Sequence, residues 1–99
     1  MKVSIKLSKR KGKKRVAVFY DDDNKKLKTT HFGAKGMSDY TIHKDKKRKA
    51  RYLNRHKVNE NWEDPTTAGS LSRYILWNKP TLKASIEDYR KRFKLNKYK

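Results

Sequence analysis

The run KVSIKLSKRKGKKRVAVFY, residues 2–20, decides how this chain folds. Val3, Ile5 and Leu7 alternate with Lys2, Ser4 and Lys6, and Val16, Val18 and Tyr20 alternate with Ala17 and Phe19. A period of two is what half-buried strands carry. Between the two stretches, residues 8–15 read as a basic hairpin loop with Gly12 at its centre. A second turn-like cluster, Asp21 to Lys26, leads into a third strand over Leu27 to Phe32. Three strands joined by short turns make an antiparallel meander.

Beyond the meander the spacing becomes helical. From Ile42 to Lys57, the residues Ile42, Ala50, Leu53 and His56 fall broadly on one side of a helix, and Lys44, Lys47, Arg48, Arg51 and Arg55 on the other. That predicts one amphipathic helix with a cationic back and a single acid, Asp45, where ordinary exposed helices mix signs. Asp64-Pro65 then breaks the chain, and Thr66 or Thr67 caps a second helix through Leu71, Tyr74 and Ile75. Asn78-Lys79-Pro80 stops it. Thr81 caps a third, in which Leu82, Ile86, Tyr89 and Phe93 recur at steps of four, three and four as a core stripe. Arg90, Lys91, Arg92 and Lys94 suit the negative end of its dipole. The expected fold class is α+β, a three-stranded antiparallel meander followed by three short helices. It forms one small basic domain over residues 1–99, with a frayed basic tail at 95–99.

Composition sets the terms on which such a domain is stable. The 99 residues carry 29 lysines and arginines against 10 acids, a formal charge of +19, and apolar residues are only 33% of the chain against 39% charged. The core is therefore small, and stability is expected to depend on salt or on a partner. Without cysteine there are no disulfides and no thiolate metal sites. No stretch approaches the roughly 20 apolar residues of a membrane span. Met1 to Leu7 lacks the continuous apolar core of a signal peptide and reads as a strand.

Charge of one sign at this density points to a polyanionic partner. The candidate nucleic-acid contacts are Lys9, Arg10, Lys11, Lys13, Lys14 and Arg15 on the hairpin loop. Lys44, Lys47, Arg48, Arg51 and Arg55 supply the helix, and Arg90 and Arg92 the end of the chain. If roughly six phosphates are neutralised, log K falls with log salt at a slope of about −5. Most of the two Trp, six Tyr and three Phe are needed in the core, with Tyr52 and Tyr98 the expected exposed rings. Binding through phosphates alone is indifferent to sequence.

Enzymatic chemistry finds little support. His31, His43 and His56 could be grouped with Asp39 or Asp45, but no pair has a recognised ligand spacing. Neither catalytic residues nor a metal or cofactor are expected. Gly33-Ala34-Lys35-Gly36 has the form of a Gly-x-x-Gly backbone clamp, and fits a strand-to-helix turn needing positive φ better.

Three segments carry a family likeness: His31-Phe32-Gly33-Ala34-Lys35-Gly36-Met37-Ser38-Asp39-Tyr40-Thr41, then Arg51 to His56, then Thr67 to Pro80. Together they resemble a family of short basic proteins encoded by nucleocytoplasmic large DNA viruses, including chlorella viruses and mimivirus relatives. The resemblance implies a viral setting, in the virion or in the host nucleus or cytoplasmic viral factory. The expected function is a non-enzymatic DNA-binding or DNA-condensing protein acting on viral DNA. The alternative is a minor capsid protein docking on acidic capsid surfaces.

Overall fold

The alternation at the start of the chain becomes three antiparallel strands in a computed structural model that describes residues 1–98. They are β1 (Lys2–Leu7), β2 (Lys13–Tyr20) and β3 (Lys26–Ala34). Val3 lies opposite Phe19 and Ile5 opposite Ala17, while Arg15 lies opposite Phe32 and Ala17 opposite Thr30. The register shifts at Phe19/Tyr20, where Leu27 is the extra residue. This pairing gathers Val3, Ala17, Phe19 and Phe32 on one buried face. Val16, Val18 and Tyr20 consequently sit on the opposite face and stay half-exposed.

The basic loop is shorter than residues 8–15. Lys13 pairs with Ala34 and Arg15 with Phe32, so these cations belong to the ladder and the connection is only Ser8 to Gly12. Gly12 allows this tight reversal, with a φ of 83°.

The helix expected over residues 42–57 is two helices, α1 (Tyr40–His43) and α2 (Lys46–His56). Lys44 takes a left-handed conformation (φ 56°), and the Asp45 carboxylate accepts hydrogen bonds from the backbone N–H groups of Lys47 and Arg48. An aspartate satisfies those orphan donors better than it fits a helix interior. Ile42 therefore has no phase relation to α2, and it is exposed, as is Ala50. The side of α2 turned to the protein carries Lys49, Tyr52, Leu53 and His56.

Thr67 caps α3 (Ala68–Leu71), its hydroxyl accepting from Ser70 N–H. The helix then widens into a π-helical turn (Ser72–Leu76), closed by Trp77 N–H to Ser72 C=O. Thr81 caps α4 (Leu82–Arg92). Leu71, Ile75 and Leu76 from the α3 segment, Tyr89 from α4 and Leu95 complete the core against the sheet. Leu82, Ile86 and Phe93 pack at its margin, as the stripe predicts.

The tail is not frayed over residues 95–98. β4 (Asn96–Lys97) joins the sheet parallel to β1, giving the order β3-β2-β1-β4. Leu95 is buried, and Tyr98 stacks on Tyr20 with centroids 3.6 Å apart. One apolar anchor and one aromatic contact fix a segment that its polar neighbours made look loose. Lys99 lies outside the described residues.

Candidate nucleic-acid interface

α2 positions four of the candidate contacts. Lys47, Arg48, Arg51 and Arg55 lie within about 100° of one another around the axis, along a stripe about 12 Å long. They and Lys44 are all exposed. Among the described residues none of the five forms an ion pair. Asp45, the one acid adjoining the stripe, is engaged as the cap: backbone hydrogen bonds from Arg48 and Lys47 hold its carboxyl below the usual value. Like charges at spacings of three and four repel by a few tenths of a kcal/mol per pair. About 12 Å of duplex axis carries roughly seven phosphates, enough to match every cation in the stripe.

The remaining candidates divide. Lys9, Arg10 and Lys11 occupy the exposed tip of the β1–β2 hairpin, beside the turn after β3, where Lys35 N–H donates to Gly12 C=O. Lys13 and Arg15 are half-buried in β2. Lys14 is not a free cation: its Nζ is 2.6 Å from Asp39 Oδ2, with side chains 16% and 3% exposed. Asp39 also accepts from Thr41 N–H at 2.9 Å, so this pair anchors the start of α1 to the sheet. Arg92 pairs with Asp88 at 3.4 Å and lies over the Tyr74 ring, while Arg90 is half-buried on α4. Lys13, Lys14 and Arg55 line one cleft of about 390 Å³ between the sheet end and α2, which joins the hairpin side to the C-terminal end of the stripe. Arg90 and Arg92 are not among its lining residues.

Tyr52 is buried, contrary to its expected exposure. It stacks between Trp77 (4.2 Å, 3°) and His56 (4.2 Å, 27°). Its hydroxyl is pushed up to about 12, first by burial and then by the charge of Glu60. Of the three histidines, His31 stands apart and shares a hydrogen bond with Ser8 Oγ, whereas His43 packs on the same Trp77 and His56 also meets Glu60. Gly33 and Gly36 both have positive φ, as the turn reading requires. A Cβ on Gly33 would stand 2.8 Å from Leu76 Cδ1.

Two cations escape sequence reasoning. Lys49 donates to Asn78 C=O at 2.6 Å beneath the stripe, and burial, then Arg73 and Lys79, hold its ammonium below the usual lysine value. Arg73 lies near the Trp62 and Tyr74 rings and donates to Trp77 C=O at 3.1 Å. Burial lowers its pKa as well. The Lys49 hydrogen bond ties α2 to the segment after the π-turn, and the Arg73 hydrogen bond closes the turn on itself; only the path of the chain after Ser72 brings the two cations near.

A model described as "Family of unknown function (DUF5754)" matches residues 3–56, which hold β1 from its second residue and all of β2, β3, α1 and α2. No curated protein and no solved structure matches the chain. No helix among the described residues is long and apolar enough to cross a membrane.

Proposed function

The chain belongs to this family, DUF5754, whose description assigns no activity, and we propose that it is a non-enzymatic nucleic-acid-binding protein that neutralises phosphates without reading sequence. The stripe of α2, with Lys44 in the turn before it, carries the reading: Lys44, Lys47, Arg48, Arg51 and Arg55 are exposed, of one sign and without an acidic partner among the described residues. Such a face is destabilised by itself and relieved by an anion. The hairpin tip at Lys9, Arg10 and Lys11 adds contacts along the same backbone, and Lys13 and Arg55 across the cleft connect the two. Lys14 serves the fold. Viral DNA is the proposed partner, in the virion or the infected cell.

The test is anisotropy of a labelled mixed-sequence duplex across a salt series. Replacing Lys44 and the four stripe residues with glutamine is expected to reduce the salt slope by about 4 to 5. An unchanged slope and affinity overturns the reading. Lys14→Gln is expected to lower the melting temperature while leaving the slope unchanged. A protein that co-fractionates with the shell of particles emptied of genome, in symmetric density, would instead be a minor capsid component.

A further inference from the structure

Among the described residues, β1 is paired along its whole length on one side and with β4 over only its first two residues on the other. β4 registers with Lys2 and Val3 and Tyr98 follows beside Ser4, so the outer edge of Ile5 to Leu7 carries no strand among the described residues. The ladder fixes where its free groups point. Asn96 N–H donates to Met1 C=O and Tyr98 N–H to Val3 C=O, while Ser8 N–H donates to Lys14 C=O on the other side. Odd-numbered residues of β1 therefore turn their backbone groups towards the β4 side and even-numbered ones towards β2. Past Val3, the N–H and C=O groups of Ile5 and Leu7 point out of the sheet.

This edge borders a groove of about 550 Å³ between β1 and α4. Val3, Ile5, Leu82 and Ile86 supply its apolar lining. Lys6, Lys83, Arg90 and Lys97 surround it, with Glu87 the single acid in the lining. Of these cations only Arg90 was a candidate contact, and none lies on α2.

We propose that the groove is a docking site for an extended segment of another protein, apolar at alternate positions and acidic between them, which continues the row of β4 by pairing with Ile5 and Leu7. Strand addition uses the free N–H and C=O groups for affinity and the flanking surface for selection. Alternate side chains of the added strand reach Ile5, Leu82 and Ile86, and the intervening carboxylates meet the surrounding cations. A second copy of this chain is the wrong occupant, since its edge brings Lys6 and Lys83 against the same charges. A nucleic acid offers neither the amide ladder nor the apolar side chains. The cations that bar self-pairing thus select an acidic strand.

The probe is a short labelled peptide alternating valine and glutamate, titrated with the full chain and read by anisotropy. An oligoglutamate of equal length and two N-methylated forms, blocked on one strand edge or the other, complete the set. The alternating peptide is expected to bind more tightly than oligoglutamate. Methylation on the pairing edge is expected to cost roughly tenfold in affinity through two lost ladder bonds, and methylation on the other edge to leave it unchanged. The amide signals of Ile5 and Leu7 are expected to shift on binding. Ile86→Asp is expected to abolish the preference, and glutamine at Lys44 and the four α2 positions to retain it. Equal binding of the alternating peptide and oligoglutamate, or of the two methylated forms, reduces the contact to charge and overturns the proposal. The methylated series is read on the unaltered chain, so it stands even where Ile86→Asp does not fold.

Discussion

Asp39 shows most directly how a basic residue can be read by sign and misread by role. Lys14 stands among six cations in the sequence, yet the structure gives it the one deeply buried carboxylate within reach. Asp39→Ala is expected to cost about 3 kcal/mol in urea unfolding, because the Lys14 ammonium stays largely out of water without its partner. Lys14→Met with Asp39→Asn together is expected to cost less than Asp39→Ala alone. Tyr52 makes a second residue-scale prediction. Its pKa is raised to about 12 in the fold against 10.0 ordinarily. The folded state holds this proton longer than the unfolded chain, so its contribution is whole below pH 10.0 and is lost as pH rises towards about 12. The melting temperature is expected to fall over that window, and Tyr52→Phe to flatten part of the fall. Tyr89, also raised by burial, acts in the same direction. Neither role was legible in composition. Asp39 and Lys14 are 25 residues apart, and Tyr52 is buried by a tryptophan on another element.

At the scale of the element, α2 is where the sequence came closest to the site. The exposed positions of Lys47, Arg48, Arg51 and Arg55 follow from helical period and charge alone, since no small core can bury four uncompensated cations. What period alone missed was the break at Lys44 and Asp45. Counting Ile42 into the same helix rotates the apolar side towards Ala50, whereas a helix that starts at its aspartate cap turns Tyr52 inward. The five-glutamine variant is expected to melt a few degrees higher than the natural chain at low salt, because its like-charge pairs are gone. The difference should vanish at high salt, where those pairs are screened. A melting point unmoved at low salt would mean that the stripe carries no strain for an anion to relieve. The π-turn had no signal in the sequence. Its i+5 bond sets Ile75 and Leu76 into the core while bringing Trp77 onto α2, a choice made by packing.

For the whole molecule, a charge of +19 weighs on a core of few side chains. Phe32 is fully buried in the core between the sheet and the helices, and Phe32→Ala is expected to remove about 3 to 5 kcal/mol, a large share of the stability of a domain this size. Its circular dichroism is expected to regain folded character on adding sulfate, which screens the charge and favours burial. The sequence by itself determined the α+β class, the strand order of the meander, the two threonine-capped helices and the sign of the surface. Those follow from periods of two and 3.6, from caps and breakers, and from counting charges, all of which act over a few residues. Only the tertiary structure decided which cations stay free, which ring is buried, and that the tail joins the sheet along the first residues of β1. Each of these depends on partners far apart in the chain, such as Lys14 with Asp39, Tyr52 with Trp77 and Val3 with Tyr98. Local pattern fixes which face a side chain can present, and long-range packing fixes what meets it there.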